Sequence, residues 1–291
     1  MAVVVASALG CGSGEGGSAG SAGAGQEHDS GTGGASSAST VGGASATGGS
    51  ASEGGAPGSA GPDPQGTLFW QSGFENGFPG EWLNYENAGF PFTADGTSTG
   101  DPSNWTIIGA GEVPVPEGSH VYKAWVNGAA SESHRPYPVL HTDAPSPLVN
   151  SFLVYIDLDY EELGGDWFHL ATWANNEDWS VHTLSIRNRV LEMAHLDWEW
   201  IGPEPQPEFP LRQWVRFTAY IDYASDTETI RVWQDGVPIL SGLYTSNSGT
   251  SLMRAHWGLY APSTVSAGVH YNDDIQIRLL DTPLTDLETE P

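Results

Sequence analysis

The sequence predicts an all-β protein, an antiparallel β-sandwich preceded by a long segment that cannot fold. Three observations predict it. Between residues 66 and 285, apolar and polar side chains alternate in about a dozen short segments, as in strands with one apolar and one polar face. Glycine and proline punctuate those segments and helical periodicity is nearly absent, which favours two packed antiparallel layers. Residues 1–65 hold 19 of the 38 glycines and none of the 12 tryptophans, so they lack the apolar surface needed to offset chain entropy.

At the N-terminus, AVVVASALG ends in small residues just before Cys11, the one cysteine of the chain. The run is too short to span a bilayer. Residues 1–10 resemble a truncated bacterial lipoprotein signal peptide, cut before a cysteine that is then acylated. Ala8 stands where leucine is usual, and no basic residue precedes the run; a start codon placed too far downstream accounts for the second departure. The resemblance implies lipidation of Cys11 and a tether over 11–65. It places a folded domain of 66–285, with a tail of 286–291, at the bacterial outer surface or the periplasmic face of the envelope. Membrane contact is then through the lipid alone. A single cysteine leaves no disulfide framework, so the domain rests on its core; it is expected to be a monomer.

The formal net charge is −27. All nine basic residues and 31 of the 36 acids lie beyond residue 65. Such a domain is a poor partner for nucleic acid or anionic lipid. GxSxG occurs only within the glycine-rich tether (16–20) and the loop-rich stretch (96–100), no GxGxxG follows a strand, and there is no P-loop or HExxH motif; no redox cofactor is called for.

The elements follow in order. Strands are expected at 67–71, 105–108, 120–126 and 139–141, with 84–119 otherwise mostly loop. The longest is expected at 148–158, with Phe152, Val154, Ile156 and Leu158 on the core face. In 166–174 Phe168 and Leu170 share one side, while Trp167, His169, Ala171 and Trp173 share the other. Strands at 180–190 and 191–198 precede a loop with four prolines at 202–210. From Trp214 to Asp222 the alternation is strict, with Arg216 and Tyr220 on the polar face, suited to a ring-shaped polar ligand. Residues 230–234 lead to Asp235-Gly236, a tight-hairpin dipeptide. In 254–261, Ala255, Trp257 and Leu259 point inward; Arg254, His256 and Tyr260 point outward.

The early FENG around Glu75 and the late NDDI around Asp273 and Asp274 resemble carbohydrate-binding jelly rolls whose first and last strands lie side by side. The resemblance implies a structural Ca2+ held by Glu75, Asp273 and Asp274, and oxygen-rich carboxylates suit that ion. Capping of turns and strand ends is the alternative role for these acids.

The order of elements over residues 67–280 resembles the concanavalin A-like lectin/glucanase superfamily, and within it the jelly-roll polysaccharide lyases of the alginate-lyase and heparin-lyase-I type. HRPYPVL matches the arginine-bearing strand, with Arg135 in the arginine position. WFHLATW matches the second motif, with His169. HWGLY matches the third, with His256 where lysine is usual and Tyr260 in the tyrosine position. The acid that usually follows the arginine is missing. The resemblance implies binding of a polysaccharide and its cleavage by β-elimination at a uronic acid.

The residue types suit that chemistry. Arg135 can neutralise the sugar carboxylate, His169 or His256 can take the neighbouring proton, and Tyr260 can protonate the departing oxygen. Trp173 would stack on a sugar face, beside Arg254, Tyr220 and Arg216. Two alternatives stand beside the lyase: a non-catalytic, lectin-like carbohydrate-binding lipoprotein, and a glucanase-type glycoside hydrolase. The latter would use Asp157, Asp159 and Glu161, an alternating acid triplet.

Overall fold

The computed structural model of the chain describes residues 65–76, 103–129, 133–175, 181–194, 200–201, 208–225, 230–242, 250–286 and 290–291. Cys11 and the predicted tether lie outside them. In chain order the strands are β1 (Thr67–Ser72), β2 (Ser103–Gly109), β3 (His120–Asn127), β4 (Val139–Pro145), β5 (Leu148–Asp157), β6 (Trp167–Asn175), β7 (Val181–Arg187), β8 (Val190–Ala194), β9 (Trp200–Ile201), β10 (Trp214–Ile221), β11 (Ile230–Gln234), β12 (Val237–Gly242), β13 (Ser251–Tyr260) and β14 (Ala267–Leu279).

They form two antiparallel sheets. The larger runs β12-β11-β10-β5-β14-β3-β2, and β1 pairs with the C-terminal half of β14. The smaller runs β4-β13-β6-β7-β8-β9. The first and last strands are therefore neighbours, as expected. The alternation read from the sequence explains the layering. Val215, Phe217, Ala219 and Ile221 of β10 meet Phe168, Leu170, Ala255 and Trp257 of the opposite sheet in one buried core. Asp235 and Gly236 both have positive φ, 49° and 82°, the twist a two-residue hairpin needs.

Two sequence expectations shift. The strand expected over 180–190 stops at Arg187, because Asn188 and Arg189 take positive φ (49° and 73°) and make a tight turn into β8. The strand expected to reach Leu158 ends at Asp157, and a short 3-10 helix, Tyr160–Leu163, follows.

The core holds polar groups that are informative about stability. Asn150 of β5 crosses between the sheets. Its side-chain oxygen accepts the indole N–H of Trp173 at 2.8 Å and of Trp257 at 3.0 Å, and its amide donates to the Gln276 carbonyl at 2.7 Å. His270 of β14 is fully buried, with neither ring nitrogen hydrogen-bonded. Burial pushes its pKa down to about 3. The unfolded chain binds the proton near pH 6.5 and the fold does not, so this group costs stability as pH falls below 6.5. His270→Leu should accordingly gain about 2 kcal/mol on the parent between pH 7 and pH 5. Urea melts of both proteins at the two pH values check this, and an unchanged difference would refute it.

Candidate functional site

The outer face of the smaller sheet gathers most of the side chains expected to act. Tyr260 and His169 are directly opposed between β13 and β6, with ring centres 4.8 Å apart in an edge-to-face contact. His256 lies further along β13, 6.4 Å from the Tyr260 ring. Arg135 arrives from the segment before β4, where paired backbone hydrogen bonds between His134 and Ala261 fix the chain against the end of β13. Its guanidinium carbon sits 5.6 Å from the Tyr260 ring centre. Arg135, His169, His256 and Tyr260, remote in sequence, thus converge on one patch.

Two aromatic side chains complete it. Tyr137, to which the sequence reading gave no role, stacks on His256 at 4.0 Å and meets Tyr260 edge-on at 5.7 Å. Trp167 stacks on His169 at 3.9 Å and meets Tyr260 edge-on at 4.8 Å. Arg254 borders the patch, and its charge acts on His256, His141 and Tyr137.

The electrostatics keep both imidazoles neutral. Burial holds the His169 pKa well below the usual histidine range, and His256 lowers it further. Burial followed by the Arg254 charge brings His256 down to about 3. Burial pushes the Tyr137 phenol up. Neither nitrogen of His169 has a hydrogen-bond partner, and nor does Nδ1 of His256. Tyr260 and Arg135 are only half-buried. The patch can therefore offer a cation and a phenol to a ligand, with uncharged imidazoles behind them.

Three expected members are elsewhere. Trp173 is in the core, not on the groove face, because the β6–β7 register slips between His169 and Ala171. That bulge reverses the alternation for the rest of the strand. Arg216 and Tyr220 lie on the outer face of the larger sheet. There Arg216 pairs with Asp274 at 2.8 Å. Tyr220 packs with Val149 and Trp233, against Leu280 and Leu284 of the C-terminal segment. Both side chains are thus engaged by the protein's own groups.

The carboxylates proposed for calcium are neighbours: a methyl placed on Gly73 would meet Asp273 Oδ1 and Glu75 Cγ, each at 3.8 Å. Their oxygens are nonetheless occupied. Glu75 accepts the backbone N–H groups of Ser119 and His120 at 2.7 and 2.8 Å and the Ser119 hydroxyl at 2.7 Å. These bonds outweigh its desolvation and bring its pKa to about 2. Asp274 is taken by Arg216 and by the Gln276 amide at 2.7 Å. Asp273 accepts the N–H groups of Asp274 and Glu117 at 2.8 and 3.3 Å, and burial pushes it up to about 7. Among the described residues no three His, Cys, Asp or Glu side chains are grouped to hold a metal ion. As arranged, this set does not fit calcium and instead ties the β1 end and the 117–120 turn to the β14 bulge.

The acid triplet is also spent. Asp157 and Asp159 each bind Arg212 at 2.7 Å. With β5 ending at Asp157, the three acids do not share a strand face, so the glucanase arrangement is not formed.

No protein-family model matches the sequence, and no curated protein matches it. Solved structures do resemble it. The cellulose-induced protein Cip1 aligns with a TM-score of 0.51 at 12% identity, over 74% of this chain and 99% of that one. An endo-β-1,4-glucuronan lyase from the fungus Trichoderma reesei gives 0.47 at 14% identity, over 66% and 92%. An alginate lyase from Aplysia kurodai gives 0.38 at 11%, over 56% and 84%. At 12% identity the likeness to Cip1 is one of fold alone, in keeping with the two-sheet sandwich.

Proposed function

We propose that the outer-face patch binds a uronic-acid polysaccharide and cleaves it by β-elimination. The observation that supports this reading is the meeting of Arg135, His169, His256 and Tyr260 on one face. Arg135 takes the sugar carboxylate, which makes the proton on the adjoining carbon acidic. His169, neutral in the resting site, accepts that proton. Its depressed basicity is relieved by the arriving anion, since a negative neighbour favours imidazolium. The electron pair forms a carbon–carbon double bond as the bond to the glycosidic oxygen breaks, and the Tyr260 hydroxyl protonates that oxygen. Trp167 and Tyr137 hold the imidazoles in place by stacking.

The test is incubation of the protein with a panel of polyuronates while ultraviolet absorbance is followed. Elimination leaves an absorbing unsaturated sugar and hydrolysis does not. A protein that retards a polyuronate in a gel without producing absorbance is a lectin-like binder, and the catalytic half of the reading is then wrong. We also propose that Cys11 is acylated and that the domain acts from the bacterial envelope on its tether. Incorporation of labelled fatty acid should vanish in Cys11→Ala; labelling that persists would refute it.

A further inference from the structure

The patch does not end at His169. Tyr260 faces His169, His169 faces Ser185, and Ser185 faces Glu192, one residue on each of β13, β6, β7 and β8. Directly opposed side chains in a sheet have Cβ atoms about 4.5–5.5 Å apart, and three strand spacings make the row about 14 Å long. That is longer than a single sugar ring.

The row is polar throughout, and beyond Tyr260 each of its members carries an unsatisfied group. Both nitrogens of His169, the Ser185 hydroxyl and Oε2 of Glu192 are buried without a hydrogen-bond partner. Arg187 stands near that oxygen, at 3.9 Å. The adjoining row of the same face is different: Thr172 and Thr183 bond each other at 3.1 Å. Each unpaired buried group costs about 1–3 kcal/mol, so three consecutive ones are poor packing for stability alone. Hydroxyl groups, which both donate and accept, are the chemical complement of such a row.

We infer that Glu192, above Ser185, forms a second sugar-binding position that reads hydroxyl groups of a chain lying across β13, β6, β7 and β8. This rests on the polysaccharide reading above and extends it, because the ligand becomes an oligosaccharide of several units running across the strands. A sugar hydroxyl donates to Glu192 Oε2, while Arg187 holds the carboxylate in place from beside it. Burial raises the Glu192 pKa and the Arg187 charge opposes that rise only in part, so a donated hydroxyl stabilises the carboxylate further.

The test is calorimetric titration of the full chain with a disaccharide and a tetrasaccharide cut from the same polyuronate, using alginate and polyglucuronate in parallel. The parent should bind the tetrasaccharide about tenfold more tightly, a gain in keeping with one hydrogen bond to a charged group. Glu192→Ala should cut that advantage below about twofold, and Glu192→Gln, which keeps shape and one acceptor, should retain part of it. Glu192→Gln guards against misfolding, and its melting curve should overlay that of the parent. A full tenfold advantage in either folded variant, or a parent with no length preference, overturns the second position alone. A parent that binds neither saccharide overturns the polysaccharide reading and this inference with it.

Discussion

Tyr260→Phe lowers the turnover of polyuronate cleavage by about a thousandfold, with the melting temperature moving by about 2 °C or less. The rate loss follows from the role given to the phenol: a positioned proton donor contributes about 10²–10⁴. The small stability change follows from geometry. The ring, not the hydroxyl, makes the edge contacts with His169 and Trp167 at 4.8 Å and receives the Arg135 guanidinium at 5.6 Å, and phenylalanine keeps all three. Arg135→Ala should differ in kind. It removes the group that holds the carboxylate both before and during proton removal, so KM rises together with a fall in kcat. Steady-state rates read from the unsaturated product separate the two. A Phe variant as fast as the parent would transfer the proton-donor role away from Tyr260.

The sandwich was legible because alternation depends on one variable, the face of the sheet. In β10 and β13 that variable runs unbroken through the segments that were read, so Val215, Phe217, Trp257 and Leu259 fall in the core as expected. Legibility failed where something other than alternation decides the face. In β6 the slip after His169 sends Trp173 inward, and nothing in WFHLATWA marks it. Arg216 and Tyr220 lie on the expected polar face of their own strand but in the larger sheet, since alternation does not say which sheet a strand joins. Tyr137 was within reach. It shares the parity of Arg135, two residues on, and that parity continues into β4. Ser185 and Glu192 were not within reach, because their roles depend on cross-strand register with His169, which local sequence does not specify. The acids Glu75, Asp273 and Asp274 were correctly brought together, but their oxygens were already committed to backbone and side-chain donors invisible in a short motif.

The largest effect on stability should come from Asn150→Leu, which is expected to cost roughly 4 kcal/mol and to lower the melting temperature by about 10 °C. The leucine side chain offers no acceptor, so the indole N–H groups of Trp173 and Trp257 lose their partner together, and the Gln276 carbonyl loses a donor. Two orphaned donors at about 1–3 kcal/mol each dominate the loss, and the apolar surface gained by leucine offsets only part of it. The consequence extends to the patch. Trp257 follows His256 in β13, and Trp173 follows Thr172 in β6, so the amide that anchors both indoles also fixes these two strands against the larger sheet. Their mutual register is what sets Tyr260 opposite His169. Asn150→Leu should therefore reduce turnover even at temperatures where circular dichroism shows the variant fully folded. An unfolding free energy within about 1 kcal/mol of the parent would mean that water satisfies the two indoles, and the link from core amide to groove would fail.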